Sequence, residues 1–497
     1  MTPFVVERCT LAPGLEISRV LTGLWQVADL ERDGRTMDLR ATAQAMAPYA
    51  AAGFTTFDMA DHYGSAEVVA GIFRAEMAPG TAVQLLTKWV PKPGPVSRDD
   101  VRAAVDRALA RLRGRSIDLM QFHAWTFADP RWLDALFYLD ELRREGVIHH
   151  LGLTNFDAAH LRIALASGIP IVSNQVSYSL IDRRAAGPMT ALCLAHGVKL
   201  LAYGTVQGGF LSTRWLGKAE PDWEHLDTWS QMKYGRFIRA AGGWEGLQRV
   251  LTALDGVARR HEVSVANVAS RYILEQPAVG GVIIGARIGA SAHIEDNARL
   301  FSFALSRQDR EEIDAAAATL APIPGDCGDE YRKPPYLTAS GDLSHHLEEF
   351  PAPFATRRGD GGRLTCLSGT SWETQFGYSR AVRLGDRIVV SGTTASHGDR
   401  LIGGTDPAAQ AHFVIDKIEG ALRSLGARLE DVVRTRVFVS RMEQWEAIAR
   451  AHGERFGGIL PANTLVRAEL VGEEFLVEME AEAVVPTQGA SLSAHRA

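Results

Sequence analysis

From residue 19 to residue 320, short β-branched apolar runs alternate with stretches whose apolar positions recur every three to four residues. The runs at 19–24, 54–58, 83–88, 117–123, 149–154, 171–175, 199–203 and 281–284 predict eight strands. Most are bounded by Gly or Pro and lack an alternating polar face, as strands covered on both sides do. Between them lie amphipathic segments such as 98–112 and 134–144. Strand–helix alternation repeated eight times predicts a closed parallel (β/α)8 barrel, with a doubly wound open sheet as the alternative. Ahead of the first strand, Pro13-Gly14 separates two apolar stretches within 9–20, which reads as a hairpin closing the bottom of the barrel.

Beyond Cys327 the pattern changes. Pro334-Pro335, PAP at 351–353 and GDGG at 359–362 predict an ordered loop and then a linker over 326–365. A hairpin follows, 380–384 and 387–391 about Gly385-Asp386. Then come a helix at 407–425, a strand at 432–439, a helix at 442–456, and strands at 465–470 and 475–485. This ββαβαββ order predicts a small α+β domain over 366–487, one antiparallel-rich sheet covered by two helices. The polar tail 488–497 is expected to fray.

Composition narrows the function classes. A length of 497 residues calls for two domains, and 46 % hydrophobic with 23 % charged residues is globular. A net charge of -6 gives no reason to expect nucleic acid or an anionic membrane as partner. No apolar run reaches the roughly 18 residues of a membrane span. The start MTPFVVERCT lacks a secretory signal pattern. Cys9, Cys193, Cys327 and Cys366 are dispersed, without metal-ligand spacing, so free thiols, a cytoplasmic location and no metal are expected.

Four ionisable residues stand at the C-terminal ends of early strands, the rim where barrel enzymes carry their chemistry: Asp58, Tyr63, Lys88 and His123. The set suits carbonyl reduction. Hydride addition leaves charge growing on oxygen, which a tyrosine can protonate if a lysine favours its phenolate. An aspartate would hold the lysine, and a histidine would orient the carbonyl oxygen. Trp25, Trp89 and Trp125 each follow a strand end and read either as core or as an aromatic-walled pocket for a flat or apolar carbonyl compound. The segment 215–244, with Trp223, Trp229 and Trp244, is long enough for a lid.

The segments FDMADHYG (57–64), TKW (87–89) and MQFHAW (120–125) resemble the Asp-Tyr-Lys-His tetrad of the aldo-keto reductase family, over residues 1–325. The resemblance implies a TIM barrel that binds NADP(H), or NAD(H), without a Rossmann fold. It implies a carboxamide site at Thr154, Asn155 and Gln175, from LTNF (153–156) and NQVSYSL (174–180), and a stacking aromatic at Tyr203. Around these it implies cofactor contacts at Gly23, Trp25, Gly204, Thr205, Gln207 and Gly209. IIGARIGASAHIEDN (283–297) resembles the adenosine site. It places Arg287 to pair with a 2′-phosphate and Asn297 on adenine, with His293 where some members carry arginine. NADPH is therefore the expected cofactor.

SGTTA (391–395), VVRTRVFVSRM (432–442), LPANT (460–464) and VEMEAEAV (477–484) resemble the RidA/YjgF reactive-intermediate deaminase family, over 366–486, whose fold is chorismate-mutase-like. That resemblance implies a homotrimer with clefts between subunits. Asn463 replaces the family's carboxylate-binding arginine, Glu478 keeps its water-positioning glutamate, and Arg436 and Arg467 are the nearest stand-ins. Assembly or ligand binding is then the expected role. The alternatives are an imine or enamine hydrolase whose carbonyl product the barrel reduces, an alcohol or sugar dehydrogenase working oxidatively, and a non-catalytic regulatory subunit.

Overall fold

A computed structural model of the chain describes residues 5–31, 36–77, 82–289, 293–337 and 350–485. The tail expected to fray lies outside these residues, as does the middle of the expected linker.

All eight expected strands form, and they close into a barrel. The strand Val279–Gly285 pairs with both Lys199–Tyr203 and Val20–Gly23, which joins the ends of the sheet. Every neighbouring pair in it is parallel. The N-terminal hairpin, Arg8–Ala12 with Leu15–Ser18, closes one end. Its Leu11, Leu15 and Ile17 pack on the inward-facing Leu21, Leu86, Leu119 and Leu201. Above this apolar layer the register aligns Gly23 with Asp58 and Lys88 with Gln121, so the layer toward the strands' C-terminal ends is polar. Local signals set the helix limits. Ser97 and Asp100 form a reciprocal cap at the start of Arg98–Leu112, and the αL residue Arg113 ends it.

The second domain is a seven-stranded sheet. Its order is Ala355–Arg358, Leu364–Leu367, Ala381–Leu384, Arg387–Thr394, Val477–Val484, Val432–Val439 and Ala462–Arg467. Only the last pairing is parallel. The hairpin turns at Gly385, whose φ of 63° suits the first position of a tight two-residue turn. Two corrections follow. The stretch expected to be linker forms the two outer strands from Ala355 on, although its TRR and GDGG give no apolar alternation to read. The strand expected at 465–470 lies at Ala462–Arg467 instead, paired in register with Arg434–Val439.

The helices Pro407–Ser424 and Trp445–Phe456 cover one face of the sheet. Pro407–Ser424 is buried almost all round, which explains its weak polar stripe. One side lies on the sheet and the other on the barrel helix Ala158–Ala166. At that junction His160 stacks on Phe127 with centroids 3.5 Å apart. Its Nδ1 lies 2.6 Å from Asp157 and its Nε2 3.0 Å from Asp416 of the second domain. Arg455 holds the other oxygen of Asp416. The two carboxylates raise the imidazole's pKa above its ordinary value against the effect of burial. Arg162–Asp406 at 2.9 Å and His397–Asp134 at 3.0 Å flank this network.

Candidate active site

The tetrad converges at the C-terminal mouth of the barrel. Lys88 Nζ donates to Asp58 Oδ2 at 2.7 Å, both side chains almost wholly buried. Asp58 Oδ1 accepts from Gln175 Nε2 at 2.7 Å and Gln121 Nε2 at 3.1 Å. Three donors thus hold this carboxylate, and Gln121 sits within the MQFHAW motif one strand along. Burial lowers the pKa of Lys88, and Asp58 opposes that shift. The Lys88 ammonium lies 5.0 Å from the centre of the Tyr63 ring.

Tyr63 stands on the loop after Thr56–Asp58. That loop is tied to the next strand by Asp61 N donating to Lys88 O at 3.0 Å. Trp25 and His62 meet the Tyr63 ring edge-on at 4.9 and 4.8 Å. His123 is buried, with Nδ1 3.4 Å from Thr154 O and Nε2 without a hydrogen-bond partner among the described residues. Burial first, and then the nearby Arg332 guanidinium, push its pKa well below the ordinary value, so the ring is neutral at neutral pH.

These side chains line a cavity of about 470 Å³ that runs to Ser264, Asn267, His293, Asp296 and Asn297. Gly23, Trp25, Thr154, Asn155, Gln175, Tyr203, Gly204, Gly209 and Trp125 also line it. Asn155 holds φ at 59°, and Tyr203 donates to its Oδ1 at 2.7 Å. Burial raises the Tyr203 pKa far above the ordinary phenol, so it stays a neutral donor.

Other expected residues lie elsewhere. Trp89 packs on Phe122 in the core and does not line the cavity. Thr205 pairs with Ser270 at 3.1 Å, and Gln207 donates to Ser179 Oγ at 2.7 Å; both brace the loop from behind. Arg287 is half-buried off the cavity wall, its Nε buried without a partner among the described residues. Asp296 lines the cavity beside Asn297, accepting from Ser264 Oγ at 3.1 Å and Asn267 Nδ2 at 3.2 Å.

Two walls had no sequence motif. The segment expected to be a lid brings Trp229 within 5.8 Å of Trp25 and puts Ser230, Lys233 and Tyr234 on the cavity. The interdomain segment folds as a short helix, Asp329–Arg332. Its Tyr331 meets His123 edge-on at 5.4 Å and Trp125 at 6.2 Å. Its Arg332 donates to Ala124 O and Asn155 O at 2.6 Å each. The start of the stretch read as an ordered loop before the linker is therefore a wall of the site.

In the second domain one chain does not bring Asn463 and Glu478 together. Asn463 pairs with Thr435, Glu478 with Phe438, on strands two apart. Strand spacing and rise put them about 14 Å apart. They also face opposite ways. Asn463 Nδ2 donates to the buried Thr435 Oγ1, which lies 2.9 Å from His452 of the covering helix. Glu478 points to the uncovered face, where a Cβ on Gly392 would collide with its Oε1. Burial and Glu480 raise the Glu478 pKa. Arg436 is engaged by Glu480 and Glu482, and Arg467 is exposed at its strand's end.

All four cysteines are free thiols. Among the described residues no cluster of three metal-ligating side chains occurs, and no helix is long and apolar enough to cross a membrane.

Comparison with known proteins agrees with this architecture. Residues 19–318 match the model of the aldo/keto reductase family, and residues 370–485 match the model described as endoribonuclease L-PSP. An uncharacterized Streptomyces coelicolor protein is 39 % identical over 117 residues, 23 % of this chain and 87 % of its own. A Mycobacterium tuberculosis member of the YjgF/YER057c/UK114 family is 42 % identical over 25 % of this chain and 99 % of its own, with a TM-score of 0.23. Over the barrel, the glycerol dehydrogenase of Gluconobacter oxydans shares the fold. Its TM-score is 0.52 at 21 % identity, covering 66 % of this chain and 98 % of its own. This chain spans 49 % and 59 % of the length of the first curated relatives it matches over the barrel.

Proposed function

The chain belongs to the aldo/keto reductase family, and on that premise we propose that it reduces an aldehyde or ketone to an alcohol with Tyr63 as proton donor. The observation that carries the reading is the buried Lys88–Asp58 pair 5.0 Å from the Tyr63 ring, beside the unpartnered His123 Nε2, on one cavity. A nicotinamide cofactor, NADP(H) or NAD(H), fits the donor set. The Thr154, Asn155 and Gln175 side chains and the Tyr203 ring meet at the tetrad end, and Asn297 and Asp296 stand at the other. Bound there, it supplies the hydride.

The chain's own groups then act on the substrate oxygen. The 3.4 Å contact of His123 Nδ1 with Thr154 O is too long to fix the proton on Nδ1, and in the tautomer that carries it on Nε2 the neutral ring donates to the carbonyl oxygen and orients it. Tyr63 gives its proton to that oxygen as charge grows there. Lys88 stabilises the phenolate left behind, and Asp58, held by three donors, keeps the ammonium in place. Trp25, Trp125 and Tyr331 exclude water and favour an apolar or flat substrate. At the adenosine end, Arg287 offers an unmet donor to a 2′-phosphate, whereas the Asp296 carboxylate repels one and suits a ribose hydroxyl. The choice between the two cofactors then turns on the balance between Arg287 and Asp296.

The second domain is read as an assembly module. Its uncovered sheet face, with Val389 and Val484 exposed beside Glu478 and Glu480, is the surface for a homotrimer. A second reading, imine hydrolysis across that interface, is favoured by the raised pKa of Glu478, which suits a group that holds or passes a proton. The test is NADPH and NADH consumption by the full chain with a panel of aldehydes and ketones. Turnover that Tyr63→Phe abolishes supports the reductase. Cofactor binding without turnover on any carbonyl would point to a regulatory subunit instead.

A further inference from the structure

The segment that carries the chain from the barrel to the second domain places a buried guanidinium behind the wall of the site. Arg332 ends the helix Asp329–Arg332, is 8 % exposed and lies off the cavity. Its Nη1 donates to Asn155 O at 2.6 Å, and its Nε and Nη2 donate to Ala124 O at 2.9 and 2.6 Å. One side chain therefore bridges the backbone just past two neighbouring barrel strands, Ile117–Phe122 and Ile148–Thr154. Ala124 directly follows His123, and Asn155 lines the cavity beside Thr154 and Gln175. The rings of Phe127 and Phe156 lie 4.3 and 5.9 Å from the guanidinium. Burial lowers the Arg332 pKa, and the carboxylates of Asp157, Asp329 and Glu330 oppose that shift. Gly328, with φ at 82°, lets the helix approach so closely that a Cβ there would collide with Asn155 O and with the guanidinium.

Both bridged positions depend on support from outside their own strands. Asn155 holds a left-handed φ of 59°, which residues other than glycine rarely keep unaided. Its N–H donates to Gln175 O at 2.8 Å and its Oδ1 accepts from Tyr203, which leaves its carbonyl to Arg332. The 3.4 Å contact of His123 Nδ1 with Thr154 O is too long to orient the imidazole by itself, so the ring's place follows its backbone and the rings packed on it. A planar guanidinium fork can span two carbonyls at a fixed separation, whereas a lysine ammonium is a single point of charge. After burial, the Arg332 charge is also the next cause of the lowered His123 pKa. We propose that Arg332 is a positioning residue of the reductase, which holds the backbone at Asn155 and Ala124 so that the side chains facing the nicotinamide and the imidazole facing the substrate oxygen keep their mutual placement. This rests on the reductase reading above. Because Arg332 stands behind the tetrad end of the cavity, its loss falls on the nicotinamide and on the chemical step and spares the adenosine end.

The test compares the unmodified full chain with Arg332→Met and Arg332→Lys. Calorimetry gives the affinity of NADPH and of 2′-phospho-ADP-ribose, the same ligand without its nicotinamide; NADH and ADP-ribose replace them where NADH binds more tightly. Single-turnover oxidation of the bound reduced cofactor by a reducible aldehyde gives the chemical step. In Arg332→Met the whole dinucleotide should bind on the order of tenfold more weakly, the scale of a lost charged hydrogen bond, and single turnover at saturating cofactor should slow by a similar factor. The truncated ligand should keep its affinity within about twofold, because the adenosine end is untouched. Arg332→Lys keeps the charge but not the fork and should fall between the two proteins in both readouts. Equal losses for the whole and the truncated ligand would make Arg332 a general support of the fold and overturn the proposal. So would a dinucleotide affinity and a single-turnover rate that Arg332→Met leaves unchanged. Either result leaves the reductase intact. If Arg332→Met does not fold, Arg332→Lys decides by the same ratio of affinities, and a ratio equal to that of the unmodified protein overturns the proposal. Failure of the unmodified protein to reduce any carbonyl compound would remove the reductase reading and the proposal together.

Discussion

Replacing Asp416 by Asn would leave the buried His160 and the partly buried Arg455 without the carboxylate they share. The Asp416 side chain has no solvent exposure, and that of His160 is 5 % exposed. Removing one partner of such a buried pair costs about 3–5 kcal/mol. How far the melting temperature falls depends on the cooperative unit. At about 2.1 cal/mol/K per residue, a 497-residue chain unfolding as one unit would lose about 4 °C. The second domain alone, about 130 residues, would lose about 15 °C. Scanning calorimetry at pH 6.0 and 8.5 reads both. His160 has a raised folded pKa, so its share of the stability is fully present below about 6.5, its ordinary value, and is lost as pH rises through the folded value. The gap between the unmodified protein and Asp416→Asn should therefore be wider at pH 6.0. It should not vanish at pH 8.5, because Arg455 stays charged. A cost below about 1 kcal/mol, or a gap that widens with pH, would refute this account of the domain junction.

Three other outcomes are expected. Arg287→Ala should lower the NADPH/NADH ratio of kcat/KM, on the order of tenfold for a lost charged hydrogen bond, and Asp296→Asn should raise it; two unchanged ratios would place the 2′-phosphate elsewhere. Light scattering should give three times the chain mass of 54.1 kDa, and Val389→Glu with Phe438→Glu on the uncovered sheet face should give monomers that still reduce carbonyls; a persistent trimer would locate assembly elsewhere. Because the His123 pKa is well below 6.5, kcat/KM for reduction should show no limb near pH 6.5 that His123→Gln removes.

The barrel was legible because each of its strands carries its own signal, a β-branched run buried on both faces. The tetrad was legible because strand ends in a closed barrel must converge. What escaped depended on contacts between distant segments. Tyr331 follows the last strand by nearly fifty residues in a stretch rich in Pro, so nothing local says that it returns to His123. Lys233 sits in a helix that reads as an ordinary amphipathic segment. Trp89 shows the converse error. It stands next to Lys88, but successive residues of a strand point to opposite sides, so a residue one position from an inward-facing lysine faces the surrounding helices. The sheet's outer strand, ATRR at Ala355–Arg358, is exposed throughout and carries no apolar alternation to read. Asn463 and Glu478 share a family cleft in sequence, and only strand order and register reveal that one chain cannot assemble it.

The central claim, that Tyr63 protonates the substrate oxygen of a nicotinamide-dependent reduction, is tested most directly by Tyr63→Phe. The ring and its edge contacts with Trp25 and His62 survive that change, and only the hydroxyl is lost. Single-turnover oxidation of bound NADPH, followed by its fluorescence with a reducible aldehyde, isolates the chemical step from release. The account predicts a loss of about a hundredfold or more, the ordinary scale of a general acid, with cofactor affinity within twofold of the unmodified protein. Single-turnover rates within a few-fold of the unmodified protein would contradict it and require another proton donor at the cavity.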